Sequence, residues 1–155
     1  MYQGMLHLHS VLRWIILILL LVAVYKSLVD KNKPFTSSHR KTGLFLMISA
    51  DVMLLVGIYQ WVVGPMGLKS IEANGMSVVM KNSVLRFFAV EHFIGMAVAI
   101  ILIHIGYSYA KKSVSDPVKH KRTFLFYGLA LLIILIFIPW PFREVGAGRG
   151  WVPGM

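Results

Sequence analysis

The sequence predicts an all-α membrane protein, a bundle of four transmembrane helices with the N- and C-termini both on the outer side. Three observations carry this expectation. The chain of 155 residues is 57% hydrophobic and only 14% charged, with a mean hydropathy of +0.73, whereas soluble domains carry about 25% charged residues. Its apolar residues gather into four stretches, at about residues 8–28, 43–64, 85–110 and 123–140. Each matches the roughly 20 helical residues that cross a hydrocarbon core about 30 Å thick. Finally, ten of the sixteen basic residues fall in or beside the first and third loops. They are Lys26, Lys31, Lys33, Arg40 and Lys41 in one, and Lys111, Lys112, Lys119, Lys121 and Arg122 in the other. The positive-inside rule makes those loops cytoplasmic and leaves the long second loop outside.

The whole chain, 1–155, then reads as a single membrane domain in contact with the lipid bilayer. The first stretch has no basic residues before it, exceeds the length of a signal-peptide core, and is not followed by a small-residue cleavage site. It is therefore expected to stay in the protein. The net charge of +10 would suggest nucleic acid in a soluble chain, but sorting of the charge by loop assigns it to topology, and no nucleic-acid partner is expected. With no cysteine, disulfides, thiolate metal sites and thiol nucleophiles are excluded, so metal chemistry falls to His, Met or carboxylate. No nucleotide-binding loop or internal repeat is apparent.

In the first loop Asp30-Lys31-Asn32-Lys33-Pro34 stops helix one, and Thr36-Ser37-Ser38 offers caps for helix two. The second loop contains an apolar run from Met76 to Met80, expected to lie on the membrane surface and partly cap the bundle. The third holds Asp116-Pro117 in a lysine-rich stretch. Helix four is expected to end at Pro139-Trp140-Pro141, with Trp140 as an interfacial anchor, before a glycine-rich tail from Gly146 to Trp151.

Ionisable residues inside membrane segments cost about 2.5 to 3.5 kcal/mol each on insertion scales and usually face the bundle interior. Here they are His9 and Arg13 on helix one, Asp51 on helix two, and Glu91, His92 and His104 on helix three, with His39 at the inner mouth of helix two. Counting depth from the topology puts His9 and His92 together in the outer leaflet and His39 and His104 together near the inner surface. Facing histidine pairs are how a cysteine-free bundle can hold haem iron in a six-coordinate, electron-transferring state. His92 and His104 differ in level by roughly 18 Å and in direction by about 120°. Two haems would therefore lean toward different neighbours. Arg13 and Glu91 lie at matching depth and could pair, or Arg13 could reach a haem propionate, as could Arg86. A hydrogen bond between helices is the plainer role for His92, His104 and Asp51, and a proton relay is the alternative for Asp51. His7 and His120 read as interfacial residues, and the methionines as flexible apolar filling.

Three stretches, His7-Leu8-His9-Ser10-Val11-Leu12-Arg13-Trp14, Arg86-Phe87-Phe88-Ala89-Val90-Glu91-His92 and Pro139-Trp140-Pro141-Phe142-Arg143, resemble a family of small bacterial membrane proteins labelled cytochrome b. The histidine placement is similar in part to four-helix dihaem cytochromes of the cytochrome b561 and superoxide-oxidase type. In those proteins the doubly liganding histidines lie on the fourth helix; here they lie on the third. The resemblance implies one or two haems b in a multi-pass protein of the bacterial inner membrane. The combined expectation is a membrane cytochrome with iron held by His9 and His92 and by His39 and His104. It would transfer electrons within or across the membrane, with a quinol or a partner redox subunit as donor. The alternatives are a haem-free anchor or assembly subunit of a larger complex, and an enzyme acting on haem or quinone. For the last, His39-Arg40 resembles the His-Arg pairs of haem-modifying membrane enzymes.

Overall fold

The computed structural model describes residues 1–151; Val152 to Met155, where the outermost of the expected external segments ends, lie outside the described residues. Six helices are used as labels below: α1 Tyr2–Val29, α2 Ser37–Val63, α3 Leu68–Asn74, α4 Met76–Lys81, α5 Ser83–Lys111 and α6 Asp116–Phe137. Four of them, α1, α2, α5 and α6, are long and apolar enough to cross a membrane, and among the described residues there is no strand. The expected four-helix bundle is the observed architecture. The helices run further than the apolar stretches, because polar residues continue the hydrogen-bonded ladder beyond the hydrocarbon, as α1 does from Tyr2 to His7.

The bundle buries a thin seam and leaves large apolar side chains such as Ile18, Leu21, Leu55 and Ile101 on its outside, the arrangement suited to a lipid solvent. Leu20, Leu46, Ile103 and Ala130 form the centre of the seam, one from each spanning helix. Tyr127 of α6 sets the close approach. A Cβ at Gly43 would lie 2.5 Å from its hydroxyl, and one at Gly106 2.6 Å from its ring. Small residues at such crossings let helices approach through packing, because hydrocarbon supplies no hydrophobic drive to bring them together.

The two basic loops share one end of the bundle. Ser27 and Thr123 hydroxyls lie 2.9 Å apart, and His120 Nε2 donates to the Lys33 carbonyl at 3.2 Å. At this end Thr36 caps α2 through a reciprocal box with His39. Asp116 and Pro117 open α6, with Ser115 at the cap. At the opposite end α3 and α4 fold over the bundle, and Val79 in the middle of the apolar run is fully buried.

The end of α6 has an unusual solution. The last carbonyls of a helix have no partner within it, and Pro139 and Pro141 prevent the chain from supplying more turns. Side chains take over. Trp140 Nε1 donates to the Leu135 carbonyl at 2.9 Å, Arg143 donates to those of Ile136 and Ile138, and His92 of α5 donates to that of Phe137. Trp140 is thereby fixed, with its ring packed edge-on against Trp14 at 6.3 Å and stacked on Phe142 at 6.1 Å.

Candidate functional site

A cavity of about 600 Å³ opens inside the bundle at the end away from the basic loops, lined by all four spanning helices and by the tail. Its floor is apolar, built from Ile16, Ala50, Met53, Ile100, Ile103 and Ile134. Its upper wall is polar or aromatic, with His7, His9, Arg13, Gln60, His92 and Arg149. An apolar pocket with a few convergent polar groups is the usual form of a ligand or cofactor site.

His9 on α1 and His92 on α5 face each other across this cavity, with ring centroids 6.3 Å apart and planes inclined at 48°. His92 donates its Nδ1–H to the Phe137 carbonyl at 2.7 Å. A carbonyl can only accept, so the proton is on Nδ1 and the Nε2 lone pair is free. Histidine ligands commonly hold their rings by this second hydrogen bond. His9 Nε2 looks toward Gly57 of α2, where an added Cβ would lie 3.9 Å away. Phe87 and Phe88 pack on the His92 ring at 5.8 and 6.3 Å.

The turn before His92 is π-helical, Phe87–Glu91. Such turns insert an extra residue into a helix and concentrate at functional sites. This one also explains a pairing that the sequence does not suggest. Residues five apart in a regular α-helix point about 140° away from each other, but the wider turn brings Arg86 and Glu91 to one side, and Arg86 Nε donates to Glu91 at 2.6 Å. The expected Arg13–Glu91 pair is therefore not formed. Arg86 also donates to the Met80 carbonyl and does not line the cavity, so it is not placed to meet a haem propionate.

Arg13 does line the cavity. One terminal nitrogen donates to Ser10 at 3.2 Å and to the Trp151 carbonyl at 2.7 Å, while its buried Nε has no partner among the described residues. The same Trp151 carbonyl accepts from Trp14 Nε1 at 2.9 Å, tying the tail to α1. Arg149 is a cavity-lining residue that the sequence leaves hidden. It stands in the glycine-rich tail, reaches the Met66 sulfur at 3.3 Å, covers the Phe88 ring at 4.3 Å and lines the cavity. Partial desolvation pushes its guanidinium pKa down from the ordinary value. A lone arginine among glycines, beyond the last span, was the only signal in the sequence.

The inner histidines are not brought together. The backbone N–H of Thr36 donates to His39 Nδ1 at 3.1 Å, so Nε2 carries the ring proton and donates it to Asp30 at 3.0 Å. Both ring nitrogens are used, and the ring packs on Phe35 and His120 at 5.0 and 4.9 Å. His104 Nε2 is bonded to Asp51 at 2.7 Å. Asp51 is twelve residues along α2 from His39, about 18 Å of helix rise. His39 and His104 thus stand at different levels, and the expected second iron site is not formed by them. His120 is buried against the first loop, a packing role at the end where an interfacial one was expected.

Among the described residues no three His, Asp or Glu side chains gather as a metal-binding group. Any metal at His9 and His92 would need the rest of its coordination from a ligand such as a porphyrin. Comparison with family models, curated proteins and solved structures finds no match for the chain.

Proposed function

We propose that the chain is a membrane cytochrome that holds one haem b between His9 and His92 and passes electrons within or across the membrane. The observation that carries this reading is the facing pair itself. Metal–imidazole nitrogen bonds are about 2.0 Å long, so two rings that share one metal stand with their centres on the order of 6 Å apart. The rings stand 6.3 Å apart. The cavity around them lies within the range of about 300 to 1,000 Å³ that ligand sites occupy.

A haem held by His9 and His92 would supply a one-electron redox couple. The chain's residues do the rest. Phe137, through its carbonyl, fixes the tautomer and direction of His92 and makes it a stronger ligand. Ile16, Ile100, Ile103 and Ile134 enclose an apolar floor that excludes water. Arg13 and Arg149 line the polar end, where their positive charge would neutralise propionates. Gly57 leaves room beside His9.

The charge sorting puts the basic loops in the cytoplasm and the cavity end outside, and the family resemblance implies a bacterial inner membrane. A membrane quinol or a partner redox subunit serves as donor. The test is a reduced-minus-oxidised spectrum of the purified protein with a pyridine haemochrome count. One haem per chain with six-coordinate, low-spin bands is expected. No haem would overturn the reading and favour the anchor subunit, in which His92 serves only to cap α6. Two haems would require a ligand set that the His39 and His104 contacts do not offer.

A further inference from the structure

Asp51 and His104 form a polar pair that the cavity does not use. They lie within spanning helices, yet their side chains are 43% and 45% exposed. That exposed surface meets hydrocarbon, where ionisable groups are rare unless they serve a function. One turn away on the same faces stand Ile48, Leu55 and Ile101, all exposed, so the pair is an isolated polar spot on an apolar wall. The preceding residues, about 100° round each helix, turn inward: Ala50 of α2 and Ile103 of α5 line the cavity. The pair and the cavity are two surfaces of one wall, a single helix layer about 10 Å thick.

We infer that Asp51 and His104 form a docking site for the headgroup of a lipid-soluble hydroquinone that arrives from within the bilayer, with His104 as the proton acceptor. The hydrogen bond to the carboxylate places the proton of neutral His104 on Nε2 and leaves Nδ1 to accept a hydroxyl proton. The Asp51 carboxylate then stabilises the imidazolium that forms, the role an aspartate plays beside a general-base histidine. An apolar tail suits the surrounding Ile48, Leu55 and Ile101, and a headgroup with two hydroxyls suits a single donor–acceptor pair.

Complete oxidation of one hydroquinone to quinone breaks two O–H bonds and releases two protons and two electrons. Each proton is taken by His104 in turn and released toward the basic-loop end, where Lys111 lies roughly 10 Å further along α5. Each electron would pass to a ferric haem, so one hydroquinone requires two haem equivalents, either the haems of two chains or one haem reoxidised by an electron acceptor between the two transfers. The electron acceptor rests on the haem reading above; the docking site does not.

The experiment uses the full chain in liposomes, as wild type, Asp51→Asn and His104→Gln. A photoreactive azidoquinone should label peptides containing Asp51 or His104, excess decylubiquinone should suppress that labelling, and both variants should lose it. This readout needs no haem. With haem present, stopped-flow reduction by decylubiquinol should slow by about 100-fold in the variants, the scale of a general base, while reduction by dithionite and the haem content stay unchanged. Labelling that persists in both variants, or that maps away from α2 and α5, would overturn the docking site. Unchanged reduction by decylubiquinol in variants with full haem would overturn the role of His104 as proton acceptor. A wild type labelled at this pair but devoid of haem would instead overturn the cytochrome reading and leave the docking site standing.

Discussion

His92 caps α6 in the structure and is proposed to ligate haem iron, and replacing it with alanine separates the two roles. As a structural group it donates one hydrogen bond, to Phe137 at the end of α6. Hydrogen bonds between membrane helices contribute about 0.6 kcal/mol on average. The imidazole also borders a cavity that is already open, so its loss removes little packing. His92→Ala should therefore destabilise the apoprotein by only about 1 kcal/mol, seen as a small shift in detergent-solubilised thermal unfolding. As the proposed haem ligand, by contrast, it would hold the iron directly. Loss of a group that merely orients a metal ligand already weakens metal affinity by about 10- to 100-fold, so removing the ligand should cost more than about 100-fold. The assay is haem per chain together with the reduced spectrum. Haem should be lost or become five-coordinate, and added imidazole, small enough for the vacated position, should restore the six-coordinate bands. A variant with full haem and an unchanged spectrum would refute the pairing of His9 with His92. Large destabilisation without any haem in the wild type would show that capping α6 is the sole purpose of His92.

Three other expectations follow from individual contacts. A Cβ at Gly95 would lie 2.5 Å from the Phe137 ring, so Gly95→Ala should cost about 1 to 3 kcal/mol by overpacking and, by displacing Phe137, lower haem retention; equal melting and haem content would refute this. Hydrogen bonds from Lys33, and then from His39, hold the Asp30 carboxyl below the usual carboxylate range. Because the folded pKa is depressed, Asp30 contributes stability that is fully present above its unfolded pKa of about 3.9 and is lost as pH falls through the folded value; Asp30→Asn should flatten that acid limb of the melting curve. Reporters inserted after Lys33 or Lys119 should be cytoplasmic and one near Asn74 external, and a cytoplasmic Asn74 would reverse the orientation of the cavity.

The four spans, the end of helix four near Pro139 and the sharing of one end by the basic loops were all legible in the chain. Each is a one-dimensional property. Transfer of apolar residues into lipid is additive along a segment, proline blocks a helix wherever it stands, and antiparallel neighbours joined by short loops must alternate ends. The outer histidine pair was also within reach, because both residues lie a short count from the same ends of facing helices, where an error of a turn accumulates little. The His39 and His104 pairing failed because depth alone does not decide which way a side chain points. The 120° between His92 and His104 turns one into the cavity and the other toward lipid, where Asp51 meets it. Local geometry decided the remaining roles. The π-turn at Phe87–Glu91 swung Glu91 to Arg86 and away from Arg13, and the cap with Thr36 together with the bond to Asp30 occupied both ring nitrogens of His39. Arg149 entered the site only because the tail folds back, tied by the Trp151 carbonyl to Arg13 and Trp14. Hydropathy determined which segments enter the membrane; helix rotation, one widened turn and a returning tail determined which polar atoms meet, since those contacts depend on the packing of the whole bundle and on no single segment.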